Sequence, residues 1–354
     1  MNISLHTFFY GNNYGALLQS LFLKTYLENQ FDANVYFNKY QPSQFLYREE
    51  IKPIIKKNIF HSYQGIKKFF KLRKWKKKYI KSLPSKKFIP SNYDENSLSI
   101  YGSDEVWNFS NPFFGFDPFF FGKSNKNVKF SYAASFGNIL LTNENHNLLN
   151  EIESLLRRFK NISVRDLNSQ NFLKDKFNIS SEIVLDPIFL IDNEFKIFNE
   201  IEKKKTPKKR YCLIYGKYFS NDEIKKIVQL SKNQNLFILS VGYYNRWADL
   251  NITNADPFEF LKLLKISDVI FTSMFHGIQF SVKYNKKFWY TIDPYRKNKL
   301  DFFLKTLKLE NRLIGPNLNY EDEIDYLFIN KEIQKKKIQS RKFIIDIMRN
   351  FNSL

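Results

Sequence analysis

Apolar positions along this chain recur with two alternating periods. Residues 3–10, Ile-Ser-Leu-His-Thr-Phe-Phe-Tyr, read as a strand that stops at Gly11-Asn12-Asn13-Tyr14-Gly15. From Ala16 to Asn29 the positions Leu17, Leu18, Leu21, Phe22 and Leu27 fall on helical spacing. A strand, a glycine-bearing loop and a helix open an α/β domain. Further strands are predicted at Ala33–Phe37, Leu98–Tyr101, Val128–Ala133, Asn161–Val164 and Ile183–Leu185, with a helix over Leu148–Phe159. After the charged stretch Asn193–Lys209 a second series follows: strand Tyr211–Tyr215, helix Asp222–Lys232, strand Asn235–Val241, helix Pro257–Lys265, and strands Asp268–Thr272 and Phe288–Ile292. Strands alternating with helices imply parallel sheets. The pattern therefore predicts an α/β domain over 1–192, a linker over 193–210 and a second α/β domain over 211–330. A C-terminal amphipathic helix over 331–354 carries Ile333, Ile338, Phe343, Ile344, Ile345 and Met348.

A length of 354 residues exceeds one typical core, and an apolar share of 43% supports burial in two. No run approaches the roughly 20 apolar residues of a membrane span, and Met1 to His6 lack the pattern of a secretory signal. A soluble, cytoplasmic protein is expected. Cys212 is the only cysteine, and His6, His61, His146 and His276 are scattered, so neither a disulfide nor a metal site is expected.

The formal charge of +21 sits in a chain rich in Lys, Asn, Phe, Ile and Tyr, as an AT-rich genome produces, so part of it is compositional. It is also uneven. No acidic residue occurs from Ile51 to Tyr93, and Lys67, Lys68, Lys71, Arg73, Lys74, Lys76, Lys77 and Lys78 interleave with Phe69, Phe70, Trp75 and Tyr79. A basic, aromatic helical insertion at about 52–87 suits anionic lipid head groups or a phosphate-bearing acceptor, which would hold the protein at the inner face of the cell membrane. The other reading is a solvated helical face. No nucleic-acid module accompanies the charge, so nucleic acid is not expected as a partner.

Candidate chemistry gathers where strands end. After Leu98–Tyr101 come Gly102, Ser103, Asp104 and Trp107, which supply close backbone approach, a hydroxyl, an acid or base, and a flat apolar wall. The same residues also read as a capped strand end with Trp107 in the core. After Val269–Thr272, Ser273-Met274-Phe275-His276-Gly277 puts His276 at a helix start, where backbone N–H groups favour an anion. Arg165 ends a third strand, shaped for a carboxylate or phosphate unless it pairs with Asp166. Gly11, Asn13, Tyr14 and Gly15 make a glycine-bearing helix start without the Lys-Ser/Thr of a P-loop.

Six segments in order resemble the polysaccharide pyruvyl transferase family: Asn13 to Gln19, Gly102 to Asn108, Ser131 to Gly137, Ser163 to Asp166, Leu185 to Pro187, and Ser273 to Gly277 with Phe280-Ser281. The resemblance implies two Rossmann-like domains facing a cleft in a glycosyltransferase-B-like arrangement. It also implies transfer of a pyruvyl group from phosphoenolpyruvate to a sugar of a cell-surface glycan or its lipid-linked precursor, without metal or cofactor. In that chemistry Asp104 and His276 are the acid–base pair, and Arg165, Ser273 and Gly277 hold the donor. Gly11, Asn13, Tyr14, Gly15, Ser103 and Trp107 then face the acceptor. One position departs: similar chains carry arginine two positions before the motif histidine, where this chain has Met274. Either Lys283, Lys286 or Arg296 replaces that cation, or the donor is another anion. The alternatives are a glycosyltransferase using an activated sugar, and a non-catalytic protein binding glycan and lipid.

Overall fold

A computed structural model describes residues 1–38, 40, 42, 47, 59–80, 97–111, 115–123, 125–139, 146–192, 196–292, 297–316 and 318–352. It divides into two α/β units, each built on a parallel sheet, as the glycosyltransferase-B-like expectation requires. The first comprises Met1–Glu49, Lys76–Ile191 and Ile333–Leu354; the second comprises Glu50–Trp75 and Asp192–Glu332.

In the first unit β1 (Asn2–His6), β2 (Asn34–Phe37), β3 (Ser97–Tyr101) and β4 (Val128–Ser131) form a parallel sheet in the order β2-β1-β3-β4. A short parallel pair, β5 (Ser163–Val164) and β6 (Glu182–Ile183), joins the β4 side through the bridges Phe130–Asn161 and Ala134–Val164. All five residues of β3 are buried, because a parallel sheet is covered on both faces. Between β1 and β2 runs α1 (Tyr14–Phe31), whose N-cap Asn13 accepts the Gly15 N–H on Oδ1 at 2.9 Å. The C-terminal part of the last helix, α10 (Tyr326–Asn352), belongs to this unit from Ile333 onward. It buries Ile344, Ile347 and Met348, and Ser340 Oγ accepts the Leu185 N–H at 2.9 Å.

The second unit has a five-stranded parallel sheet in the order β11-β10-β7-β8-β9. The strands are β7 (Tyr211–Tyr215), β8 (Phe237–Val241), β9 (Leu250–Ile252), β10 (Val269–Thr272) and β11 (Phe288–Tyr290). Cys212, Ile214, Ile238, Val269, Phe271 and Trp289 make its core with Ile227 of α6 (Asn221–Asn233). Reciprocal capping boxes start α6 (Ser220 with Glu223) and α7 (Pro257–Ile266; Asp256 with Glu259).

Two boundaries differ from those the pattern predicts. The basic helix α2 (Ile59–Tyr79), expected within the first domain, belongs to the second unit as far as Trp75. Tertiary contacts decide this: Trp75 meets the Phe258 ring edge-on at 5.3 Å, Lys71 pairs with Glu259 at 2.5 Å, and Lys68 donates to Gly242 O at 3.3 Å. Only Lys76 to Tyr79 belong to the first unit, where Lys76 Nζ donates to Tyr10 O. The expected linker is folded onto the second unit over its described part. It contains α5 (Ile197–Glu202), with Phe198 and Ile201 buried, and Lys204 pairs with Asp256 at 2.5 Å. Residues 52–58, 81–87 and 193–195, and Arg296, lie outside the described residues.

Candidate functional site

In the four-stranded and five-stranded sheets the strand order reverses between two neighbours, and open parallel sheets take ligands at the carboxyl ends beside such a reversal. The first unit reverses between β1 and β3. The Gly102 N–H donates to His6 O at 3.0 Å, tying the two strand ends together. Gly102 has φ +105° and a Cβ there would fall on Tyr132 O, so glycine alone makes this turn. Thr7 Oγ1 donates to Ser103 O at 2.7 Å, and Gln19 Nε2 of α1 donates to Thr7 Oγ1 at 3.2 Å. Ser103 Oγ and Gln19 Oε1 are buried and reach no protein partner. Beside them the His6 ring stacks on Tyr101 at 4.1 Å. Burial first, and then the Lys129 charge, pushes its pKa down to about 3, so the imidazole is neutral at physiological pH.

Asp104 follows with φ +87°, an uncommon backbone region for a non-glycine residue. Its Oδ1 accepts from the Glu105 N–H at 2.9 Å and from Arg165 Nη2 at 3.0 Å, while Arg165 Nη1 donates to Asp186 Oδ2 at 3.3 Å. Burial pulls the Arg165 pKa down; the charges of Asp104, Asp186, Glu105 and Asp166 more than offset this and hold it above its ordinary value. This corrects the expectation for Arg165 as a donor ligand: its side chain is 2% exposed and its guanidinium is committed to two carboxylates. Asp166, the anticipated surface partner, instead caps α4 (Leu167–Phe177) through the Ser169 N–H at 2.8 Å and accepts from Ser135 Oγ at 2.6 Å.

Trp107 is also corrected. It is fully buried, donates Nε1 to Phe120 O at 3.0 Å and packs on Phe136 and Phe159 with ring centroids 5.3 and 5.7 Å away. The turn after Gly102 carries the indole into an aromatic cluster, and no face remains for a sugar. Tyr14, Gly11 and Gly15 are buried as well, and Asn13 serves as the cap of α1.

The second unit reverses between β7 and β10. The Ser273 N–H donates to Tyr215 O at 3.2 Å, Thr272 Oγ1 donates to the same oxygen at 2.7 Å, and the Lys217 N–H donates to Ser273 Oγ at 3.2 Å. Asn245 Nδ2 braces this edge, donating to Gly216 O at 3.0 Å and Ser240 Oγ at 2.8 Å. Helix α8 (Phe275–Lys283) begins at once, with His276 as its second residue. A Cβ on Gly277 would fall on Thr272 Oγ1, so its absence lets α8 seat against the strand. Met274 occupies the N-cap and supplies no side-chain cap, unlike Ser220 and Asp256 at α6 and α7. The first N–H groups of α8 and its dipole thus favour an anion beside His276, Ser273 and Gly277.

Neither described lysine expected to replace the cation missing at Met274 is placed to do so. The nine residues of α8 rise about 12 Å, and Lys283 lies at the far end from His276, over the Phe198 ring at 5.7 Å. Lys286 lies beyond that end, where burial pulls its pKa down. Lys217, which sequence reasoning missed, is exposed at the end of β7 with Nζ 5.3 Å from the Tyr243 ring. A signal for it was present: Ile100-Tyr101-Gly102-Ser103 and Ile214-Tyr215-Gly216-Lys217 end equivalent strands with the same Ile-Tyr-Gly. Thr7 and Gln19 were missed too, although Gln19 and Ser20 interrupt an otherwise apolar helix face.

A family model described as polysaccharide pyruvyl transferase matches residues 13–292, a span that includes the β7/β10 reversal and the β3 side of the first. The chain belongs to that family. It is a transferase acting on sugar or glycan substrates. No curated protein matches it. Among solved structures it is similar to UDP-N-acetylglucosamine 2-epimerase from Rickettsia bellii, with 10% identity, TM-score 0.47, and 100% of this chain and 97% of that one covered. It is similar also to S. aureus MnaA solved with UDP, at 11% identity and TM-score 0.46 over 94% and 87% of the two chains. An α,α-trehalose-phosphate synthase (UDP-forming) from Burkholderia vietnamiensis has 5% identity and TM-score 0.44 over 100% and 99%. Likeness at this level carries no argument about the donor of this polysaccharide pyruvyl transferase family member.

Proposed function

We propose that this transferase moves a pyruvyl group from phosphoenolpyruvate to a sugar of a bacterial surface polysaccharide or its lipid-linked precursor. The observation that carries the reading is the start of α8, where a histidine, a close-seated glycine and oriented N–H groups meet at the β7/β10 reversal within the family-matched span. One sugar hydroxyl adds to the enol carbon as the methylene gains a proton to become a methyl group, and a second hydroxyl then displaces phosphate, which leaves with that hydroxyl's proton, giving a cyclic ketal. His276 is the acid for the methylene carbon. The α8 N–H groups and Lys217 take the donor's charge. In the first unit Asp104 accepts a proton from an acceptor hydroxyl.

A glycosyltransferase using a nucleotide-activated sugar is a second reading, favoured by Met274: with a thioether at the head of α8, no guanidinium stands there to grip a carboxylate, whereas helix starts suit diphosphates. Phosphate release from phosphoenolpyruvate, dependent on added glycan and reduced roughly 10²- to 10⁴-fold in His276→Ala, is the expected result. Turnover of a sugar nucleotide with none of phosphoenolpyruvate would replace the first reading by the second.

A further inference from the structure

We propose that the outward face of α2 docks the protein on an anionic lipid bilayer. The inward face of this helix is occupied: Leu72 and Trp75 are buried, and Lys71, Lys68 and Lys76 are engaged with Glu259, Gly242 O and Tyr10 O. What remains exposed repeats at helical spacing: Tyr63, Ile66, Lys67, Phe70, Arg73, Lys74, Lys77 and Lys78. These positions form one stripe about 22 Å long. Tyr63, Ile66 and Phe70 are 51, 39 and 61% exposed, and Lys67 Nζ lies 4.3 Å from the Tyr63 ring.

The stripe has a graded composition, with large apolar side chains toward its N-terminal end and cations toward its C-terminal end. No acidic residue occurs in the sequence from Ile51 to Tyr93. A helix lying in the plane of a membrane surface has this form, with aromatic and aliphatic groups entering the acyl boundary and Lys and Arg meeting anionic head groups. A nucleic-acid partner would use the cations but has no role for an exposed Ile66, which cannot stack on a base. The lipid reading stands on the helix alone and does not depend on the identity of the donor or acceptor.

The test is flotation of the full chain with phosphatidylcholine vesicles, with and without phosphatidylglycerol, at low and high salt. The expected result is binding that requires phosphatidylglycerol and weakens with salt. In Lys67→Gln/Lys74→Gln/Lys77→Gln, partition should fall roughly fivefold for each basic residue removed. Ile66→Ser/Phe70→Ser should weaken binding at least as far while keeping the salt dependence of the remainder. All substituted side chains are exposed, so circular dichroism should show unchanged folding. Equal flotation of the parent chain and the charge variant would overturn the proposal, as would binding indifferent to phosphatidylglycerol. Capture of a single-stranded oligonucleotide that the charge variant loses and the apolar variant retains, with no vesicle binding, would overturn it in favour of nucleic acid.

Discussion

Arg165 Nη2 donates to Asp104 Oδ1 at 3.0 Å, and the same guanidinium reaches Asp186 at 3.3 Å, so one buried cation joins the turn after β3 to the segment after β6. The Asp186 side chain is 0% exposed. Removing the cation would strand that carboxylate, and breaking a buried pair from one side costs about 3–5 kcal/mol. Arg165→Met should therefore lower unfolding stability in urea by about that amount. A residue whose main contact was the donor would instead raise the KM for donor at unchanged stability.

His6 gives the protein an acid sensitivity of definite sign. Its pKa is about 3 in the folded chain against about 6.5 when unfolded, so between these values the unfolded state binds the extra proton. The stabilising contribution is complete above about pH 6.5 and is lost as pH falls toward 3, at about 1.4 kcal/mol per pH unit once well below 6.5. Denaturation curves for the parent chain and His6→Asn should converge on acidification through this window. Parallel curves from pH 7 to 4 would mean that His6 is not held neutral.

The main strands were legible because parallel strands buried on both faces leave continuous apolar runs; Tyr211–Tyr215 was found with the bounds it has in the structure. β9, with Leu250 exposed and Asn251 and Ile252 half-buried at the sheet edge, leaves no such run. Residue type at a strand end was also legible, but not the side of the sheet to which a turn sends the chain. That is why Trp107, read as an acceptor wall, lies in the core, and Arg165, read as a donor ligand, is bound between carboxylates. The placement of α2 rests on Trp75 meeting Phe258, residues 183 positions apart, and no local pattern reports such a contact.

Gly277 is read as the residue that lets α8 sit against β10, because a Cβ there would fall on Thr272 Oγ1 and come within 3.0 Å of Tyr215 Cδ1. Gly277→Ala should cost about 1–3 kcal/mol through overpacking. It should also shift His276 and lower turnover, although alanine favours the helix intrinsically. A stabilised, fully active variant would show that α8 is not seated by this contact.

Among the described residues, Lys217 is a cation that the second unit offers at the reversal, next to the strand end whose Ser273 accepts its N–H at 3.2 Å. Its side chain is exposed, so replacing it should leave folding intact, and any kinetic effect reports on charge. Lys217→Met should raise the KM for the anionic donor tenfold or more, as expected for losing a charge-assisted contact of roughly 1.5–3 kcal/mol. Lys217→Arg should recover most of the loss, since it restores the positive charge at the same strand end. The effect should shrink as ionic strength rises, because an exposed cation is screened within about 10 Å at 0.1 M salt. If Lys217→Met binds donor as the parent chain does at low salt, the α8 start holds the anion without help from this strand end, and the charge missing at Met274 is not made good by Lys217.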